Sequence, residues 1–347
     1  MNKKILVIYM GGTIGTTIEH HQMTPHPTAN RVLLAEFRAG DSAFAKTAEF
    51  EQGRSFGILS ENMTIDHYNQ MAQEWLRLLP TLHRYQGVIV AHGTDTLAYT
   101  AALLAVLLQG ISLPVVLVSS HSPLLNADGS VNQNANGVAN FTAAVELIYG
   151  GLAGGVYATY QNPADQITYC HKAQHLLQCG LYDNNFYSRD MTPVNRAVQT
   201  FAGGSVCPIE QLPIWRLQTT PLTDCVLFVR PYVGQNYDRL NLQNVKAVLH
   251  SAYHSGTCCV GDPAHKTPYS LLHLFDRCAA QNIPLYFAPC SADQTQTVYA
   301  TVPPLRQYTA NGQHIRLCYG YTDETMWAKL LYAYSVELSQ RELQNWL

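Results

Sequence analysis

Apolar runs alternate with longer helical patterns along the first half of the chain. Runs rich in β-branched residues are typical of buried strands in a parallel sheet, and they occur at 3–9, 87–91, 113–119 and 154–160. Helical patterns lie between or after them, at 65–79, 97–108 and 132–149. This alternation predicts an α/β fold in which helices cover both faces of a mostly parallel sheet.

A second α/β pattern follows after a break. From about 196 to 223 the pattern stops, and Pro208, Pro213 and Pro221 interrupt any helix or strand. Beyond this break the sequence predicts strands at 225–229, 247–251 and 285–288 and helices at 242–245, 269–281 and 324–343. We therefore expect a larger N-terminal α/β domain at 1–195, a linker at 196–223 and a smaller C-terminal α/β domain at 224–347.

The most informative turn joins the predicted strand 87–91 to the helix 97–108 and reads His92-Gly93-Thr94-Asp95-Thr96. In an open α/β sheet such a turn lies at the carboxyl end of the strands, where ligands bind and free helix amides add positive potential. The alternative is helix capping by threonine or aspartate. Capping explains one of these side chains, but the turn carries more polar groups than a cap requires. We favour a functional site.

Two other polar segments follow predicted strands. The turn 10–15 contains three glycines, which let backbone approach a small ligand closely. Ser60-Glu61-Asn62 precedes the helix at 65–79, and for Ser60 a cap and a ligand contact are equally compatible with the pattern. The polar segment 16–30 is predicted to be a mobile loop, and a lid over a site is one role for it.

Composition narrows the class of protein. Hydrophobic residues make up 47%, charged residues 13%, and the formal charge is −3, so a nucleic-acid partner is not expected. No signal peptide or membrane span is expected, and we predict a soluble cytoplasmic protein. The nine cysteines include no Cys-x-x-Cys, which favours reduced thiols. His171/His175 and His250/His254 have the spacing of one helical face, but neither pair has a clear third ligand, and we expect no metal.

Two motifs give the chain a resemblance to a known family. Residues 87–97 read Gly-Val-Ile-Val-Ala-His-Gly-Thr-Asp-Thr-Leu, and residues 11–15 read Gly-Gly-Thr-Ile-Gly. Together they resemble the signatures of the bacterial-type L-asparaginases. The resemblance extends to Ser60-Glu61-Asn62-Met63, to Lys172 and to Thr322-Asp323-Glu324. Cys290 and Tyr299-Ala300-Thr301 look more like the cytoplasmic type I enzymes than the periplasmic type II enzymes.

The resemblance implies an amidohydrolase that converts L-asparagine to L-aspartate and ammonia. It implies no cofactor and a homo-oligomer, either a dimer or a tetramer. A threonine hydroxyl is a poor nucleophile until a neighbouring group takes its proton. By resemblance Thr13 is the primary nucleophile, while Lys172, if its pKa is lowered, accepts the proton of Thr94, and Asp95 orients the lysine.

The same resemblance assigns the substrate contacts. Asp95 and Glu61 hold the α-ammonium group, Ser60 holds the α-carboxylate, and backbone amides near Thr94 and Ser120 stabilise the oxyanion. The full set of expected substrate-binding residues is Gly12, Ser60, Glu61, Gly93, Ser120 and Glu324.

Two departures from the family pattern keep an alternative open. Met10 stands where the family usually has threonine, and the lid segment 22–25 lacks the tyrosine that pairs with the C-terminal glutamate, with Met23 at the aligned position. His20, His21 or His26 can replace it as a base. The alternative is a binding or regulatory protein that keeps the amino-acid pocket without turnover. The amidase subunit of a tRNA-dependent amidotransferase is less expected, because those chains carry an extra N-terminal domain.

Overall fold

The computed structural model describes residues 4–12, 14, 16–19, 22–25, 29–261, 266–290, 305 and 315–347. The chain divides into two compact units, Met1–Thr219 and Thr220–Leu347. Among the described residues, no helix has the length and apolar character needed to cross a membrane.

The first unit contains eleven described strands and five described α-helices. The strands are β1 (Lys4–Gly11), β2 (Thr16–Glu19), β3 (Gln22–Pro25), β4 (Phe50–Ile58), β5 (Tyr85–Ala91), β6 (Pro114–Val118), β7 (Gly155–Gln161), β8 (Thr168–Lys172), β9 (Leu176–Leu177), β10 (Tyr187–Ser188) and β11 (Thr192–Pro193). The helices are α1 (Ala29–Ala39), α2 (Ile65–Leu78), α3 (Leu97–Leu107), α4 (Gly137–Tyr149) and α5 (Val194–Thr200).

Seven of these strands form one sheet in the order β11-β8-β7-β6-β5-β1-β4. The strands from β4 to β7 pair in parallel, and β8 and β11 add an antiparallel edge. The chain runs from β1 to its neighbour β4 and then returns to β5 on the other side of β1. The strand order therefore reverses at β1, which puts the topological switch point of the sheet at the carboxyl ends of β1, β4 and β5.

The central strands are buried on both faces, as a helix-covered parallel sheet requires. The four residues from Val115 to Val118 along β6 are all fully buried. One core cluster joins alternate residues of the sheet to α1, α4 and α5, and it includes Phe37, Val116, Phe141, Tyr157 and Phe201. This packing holds the carboxyl ends of the strands in place, and the turns of the candidate site follow these ends.

The second unit has a smaller parallel sheet in the order β12-β13-β14-β15. Its strands are β12 (Val226–Val229), β13 (Ala247–His250), β14 (Leu285–Cys290) and β15 (Ile315–Tyr319), and its described α-helices are α6 (Leu271–Ala279), α7 (Asp323–Ser335) and α8 (Gln340–Trp346). Buried Val248, Leu271, Phe275 and Phe287 belong to its core.

The predicted fold class is confirmed: there is a large, mostly parallel sheet with helices and a separate smaller parallel sheet. The division at Thr219 and Thr220 falls inside the segment 196–223 that we expected to be a linker. Much of that segment is instead regular structure of the first unit. It contains the end of α5 and short 3-10 helices at Ile209–Gln211 and Pro213–Gln218, so the expectation that its prolines prevent helical turns was wrong.

Several element predictions need correction. The segment 16–30 is not a loop throughout, because β2 and β3 pair in an antiparallel hairpin. The predicted helix at 242–245 is a turn with Asn244 at a positive φ of 62°. The last predicted helix is two helices, α7 and α8, because the chain leaves helical geometry after Ser335 and Ser339 caps a new helix. His20, His21 and His26 lie outside the described residues.

Candidate active site

Three turns meet at the switch point in close contact. A Cβ atom at Gly12, which follows β1, would lie 2.1 Å from the Cα of Gly93, which follows β5. A Cβ atom at Gly93 would in turn lie 2.3 Å from the Oγ atom of Ser60, which follows β4. Gly12 also has a φ of +77°, a conformation that disfavours other residues. The fold therefore requires glycine at both positions to bring the three turns together.

Hydrogen bonds join the turn after β4 to the turn after β5. The Ser60 hydroxyl donates to Asp95 Oδ2 at 3.4 Å, and the Thr96 hydroxyl donates to the Ser60 carbonyl at 2.9 Å. Ser60 is buried, with 4% of its surface exposed, whereas Asp95 is exposed. Thr96 therefore has a structural role, and it holds Ser60 beside the Asp95 carboxylate.

The N-terminus of helix α3 is capped by a residue from outside the turn 92–96. Thr96 is the N-cap residue, but its side chain does not cap the helix. The first-turn amide of Ala98 instead donates to Oε1 of Gln178 at 3.1 Å, and Gln178 Nε2 donates to the Thr94 carbonyl at 2.8 Å. The simple capping alternative for Thr94, Asp95 and Thr96 is therefore wrong for this helix. The Thr94 hydroxyl makes no hydrogen bond to another described residue.

His92 anchors the start of the turn through a buried chain of hydrogen bonds. Its Nδ1 atom lies 2.8 Å from the Gly93 carbonyl, and its Nε2 atom lies 2.8 Å from the Thr100 hydroxyl. Because a carbonyl only accepts, the Nδ1 atom carries the proton, and Nε2 accepts from Thr100. Burial lowers the pKa of His92 to about 4. His92 is therefore a neutral structural group at neutral pH.

Lys172 is not brought to Thr94 and Asp95 by a hydrogen bond in the part of the chain that the structure describes. It lies at the end of β8, opposite Tyr157, and its ammonium group is 5.2 Å from the ring centroid of Phe201. Phe201 belongs to the core cluster that packs α4 and α5 on the sheet. The expected role of Thr94, Asp95 and Lys172 as one catalytic set therefore stays a prediction.

The other expected residues have separate surroundings. Thr13 lies outside the described residues, and its neighbours Gly12 and Ile14 are buried. Glu61 is exposed in the short 3-10 helix Ser60–Asn62. Ser120 is buried after β6, and its hydroxyl donates to the Ser122 carbonyl at 2.6 Å.

Glu324 belongs to the second unit, in the first turn of α7. Its side chain is 4% exposed, and Oε1 accepts a hydrogen bond from Arg230 Nη2 at 3.2 Å. Its neighbour Asp323 accepts one from Ser251 at 2.5 Å. Burial raises the pKa of Asp323 to about 6. The carboxylates therefore lie together at the carboxyl edge of the smaller sheet.

The histidine pairs do not share helical faces. His171 is on β8 and His175 in a 3-10 turn, while His250 is on β13 and His254 lies in the loop after it. His175 instead faces Asp190, with Nδ1 3.0 Å from Oδ2. Within the described part of the chain, no group of three or more histidine, cysteine or acidic side chains is arranged to hold a metal ion. The eight cysteines with described side chains are free thiols.

The fold defines an open α/β protein with a polar site at its topological switch point, and comparison with known proteins gives the family. The model described as Asparaginase, N-terminal, matches residues 4–175, about half of the chain. This range contains all three turns of the site. The chain belongs to the asparaginase family.

Curated relatives match over a shorter range. A glutamyl-tRNA(Gln) amidotransferase subunit of Sulfolobus acidocaldarius is 33% identical over 133 residues, which are 38% of this chain and 29% of the relative. A 60 kDa lysophospholipase of Mus musculus is 30% identical over 148 residues, or 38% of this chain and 26% of the relative. The chain thus spans less than a third of the length of these two relatives.

Solved structures match over nearly the whole chain. L-asparaginase I from Vibrio cholerae has a TM-score of 0.63 at 20% identity, with 99% of this chain and 96% of that chain covered. A probable cytoplasmic L-asparaginase from Campylobacter jejuni has a TM-score of 0.67 at 16% identity, with 99% of each chain covered. At this identity, the match establishes a shared fold across both units.

Sequence reasoning missed Gln178. It lies 80 residues after Ala98 and 84 after Thr94, in a segment for which we predicted no element. A polar residue without a motif gives no signal of this contact, because the contact depends on where the hairpin of β9 and β10 lies. Tyr68 and Thr100, which extend the hydrogen-bond chain of His92, were likewise not expected.

Proposed function

We propose that this protein hydrolyses the side-chain amide of L-asparagine, giving L-aspartate and ammonia, through a threonine nucleophile. The observation that carries the proposal is the meeting of Gly12, Ser60 and Gly93 at the switch point, with the Thr94 hydroxyl left without a described partner. The family model supports amidohydrolase chemistry at these turns. The L-asparaginase structures support a small amino-acid amide as substrate.

The reaction needs one nucleophile and one water. A threonine hydroxyl attacks the amide carbon, its proton passes to the leaving nitrogen, and ammonia departs from an acyl-enzyme ester. Water then hydrolyses the ester, which releases the acid and restores the hydroxyl. We assign the attack to Thr13 and the activation of the second step to Thr94. Asp95 and Glu61 supply negative charge for the substrate ammonium group, and Ser60 supplies a hydroxyl for its carboxylate.

Close contact between the turns also suggests how the site can distinguish asparagine from the longer glutamine. Gly12 and Gly93 leave no room for side chains between the turns, so backbone amides can approach a small substrate. A substrate one methylene longer is excluded only by shape, an effect of about 1–3 kcal/mol. We therefore propose a preference for asparagine over glutamine and not an absolute selection.

The test is ammonia release from L-asparagine by the purified protein. Thr94→Ala should reduce kcat by about 10²-fold or more, the range of a lost group that handles protons. Thr200→Ala is the matched control, because Thr200 is exposed at the end of α5. The proposal fails if the wild-type protein releases no ammonia from L-asparagine, L-glutamine or their D-isomers.

A second function is favoured by one observation, the contact of the Lys172 ammonium group with the Phe201 ring. If Lys172 does not act as a base at Thr94, the site is suited to bind aspartate or asparagine without turnover, as a sensor or regulatory protein does. A sensor is stabilised by these ligands in a thermal-shift titration but leaves asparagine intact over hours. The amidotransferase relative makes glutaminase activity within a larger assembly a further outcome to measure.

The assembly and location of the protein are part of the same proposal. By analogy with the neighbour named a probable cytoplasmic L-asparaginase, we propose a cytoplasmic homo-oligomer, either a dimer or a tetramer. We propose that it acts without a cofactor and without a nucleic-acid or membrane partner. Sedimentation of the purified protein distinguishes the dimer from the tetramer.

A further inference from the structure

Gln178 makes three hydrogen bonds with its side-chain amide. Its Nε2 donates to the Thr94 carbonyl at 2.8 Å and to Cys179 Sγ at 3.3 Å, and its Oε1 accepts from the Ala98 amide at 3.1 Å. The orientation of the amide group is determined, because the Thr94 carbonyl can only accept and the Ala98 amide can only donate. Gln178 therefore connects the turn before α3 to the first turn of the helix.

The segment that carries Gln178 is anchored in the first unit. Leu176 precedes it and is fully buried, and β9 pairs with β10 through Leu177 and Tyr187. Gln178 itself is half-buried. The side chain thus extends to the turn from a segment that has its own contacts in the first unit.

The Thr94 carbonyl has no comparable second partner among the described residues. The Leu97 amide lies at 3.4 Å from it, which is long for a backbone hydrogen bond. Asp95, in contrast, is also held by Ser60. The peptide group between Thr94 and Asp95 therefore relies on Gln178, whereas the Asp95 carboxylate has a further anchor.

We propose that Gln178 is a positioning residue that fixes Thr94 for the reaction, by holding the Thr94 carbonyl and capping α3 in place of the motif's own side chains. This inference rests on the proposed function and deepens it. Because the cap comes from Gln178, the Thr94 hydroxyl and the Asp95 carboxylate stay available for a substrate. A displacement of about 1 Å in such a group can cost about 10²-fold in rate.

Two variants of Gln178 distinguish its hydrogen bond to the Thr94 carbonyl from a general packing role of its side chain. Gln178→Met keeps the length of the side chain and removes both the donor and the acceptor. Gln178→Glu keeps an acceptor for the Ala98 amide, but its ionised form cannot donate to the Thr94 carbonyl. When protonated, the glutamic acid regains a donor. Gln199→Glu on the exposed surface of α5 is the matched control.

We expect Gln178→Met to lower kcat for L-asparagine by about 10- to 100-fold, with a smaller change in KM because Ser60 still holds Asp95. The activity of Gln178→Glu, divided by that of the wild type at each pH, should rise as the pH falls from about 8 to 5, because the acid form restores the donor. The titratable groups near this position are Asp95, Cys179 and Asp183, and all three are present in the wild-type reference. A pH-independent ratio, or unchanged kcat in Gln178→Met, overturns the proposal.

Amide hydrogen exchange of peptides covering 92–101 supplies a readout that does not need turnover. Faster exchange at the Ala98 amide in Gln178→Met, with unchanged exchange in Gln199→Glu, supports the cap. If the wild-type protein releases no ammonia, only the proposed function fails. The hydrogen-exchange measurement still shows whether Gln178 holds the turn. Unchanged protection at Ala98 overturns the positioning role.

Discussion

Adding one methyl group at Gly93 should both destabilise the first unit and disable the site. A Cβ atom there would lie 2.3 Å from Ser60 Oγ, 2.6 Å from Ser60 Cβ and 3.0 Å from Gly12 Cα. The closest of these contacts is about 1 Å shorter than an ordinary contact. No positive φ is involved at Gly93, so alanine is compatible with the backbone conformation. The effect of Gly93→Ala is therefore steric.

The size of the effect follows from how the neighbours can move. Overpacking by one methyl group typically costs about 1–3 kcal/mol, and we expect a loss in this range because two of the three contacts are to a side chain buried against Asp95. Moving Ser60 also breaks its hydrogen bond to the Asp95 carboxylate. With a displacement of about 1 Å in the substrate-binding groups, kcat/KM should fall by about 10²-fold.

Urea unfolding followed by circular dichroism measures the stability, and ammonia release measures the activity. Gly204→Ala is the matched control, because a Cβ atom at exposed Gly204 would meet only the Gly154 carbonyl at 3.6 Å. Ser60→Gly combined with Gly93→Ala removes the two closest contacts, so the double variant should recover most of the lost stability without recovering activity. If Gly93→Ala is as stable and active as Gly204→Ala, the close approach of the three turns is refuted.

Two further predictions concern charged groups. Burial raises the pKa of Asp323 to about 6, above its value in an unfolded chain, so the folded state binds this proton more tightly and the free energy of unfolding should fall as the pH rises from about 4 to 6. Asp323→Asn should remove this pH dependence. In urea unfolding it should stabilise the protein by about 1–3 kcal/mol at pH 7.5 but not at pH 4. The control Asp224→Asn, at an exposed position, should have neither effect. Lys172→Met should lower kcat/KM by less than about tenfold, because its ammonium group contacts the Phe201 ring and a lost base typically costs about 10²–10⁴-fold. A loss in that larger range in ammonia-release kinetics would return Lys172 to the catalytic set.

The sequence predicted the parts of this fold that repeat a simple period. Strands β5 and β6 and helix α2 were expected nearly at their observed bounds, because buried parallel strands and amphipathic helices have distinct periodicities. Helix α1 was missed, although Leu33 and Phe37 stand four residues apart and both are buried, a spacing typical of a helix face. The turn at 242–245 was taken for a helix because four residues are too few for a period to be tested.

The site could be predicted only in part, for a physical reason. Each turn could be located, since a polar cluster after an apolar run marks a strand end, but the sequence does not state which strands are neighbours. The reversal of strand order at β1 brings β4 and β5 to its two sides, and only this makes Gly12, Ser60 and Gly93 a single site. Lys172 was placed by resemblance alone. The structure puts its side chain against Phe201, a contact that spacing along the chain does not reveal.

In the turn 92–96, some side chains make hydrogen bonds that hold the turn in place, and this separates them from the candidates for a functional site. His92 is engaged by hydrogen bonds to Gly93 and Thr100, and Thr96 by its bond to Ser60. Gln178 provides the cap that Thr94 or Asp95 would otherwise supply. The helix takes its cap from a residue 80 positions further along the chain, so the Thr94 hydroxyl has no hydrogen-bond partner among the described residues, and the Asp95 carboxylate accepts a hydrogen bond of 3.4 Å from Ser60. Neither side chain is needed to cap α3, so both can contact a substrate, as the proposed function requires.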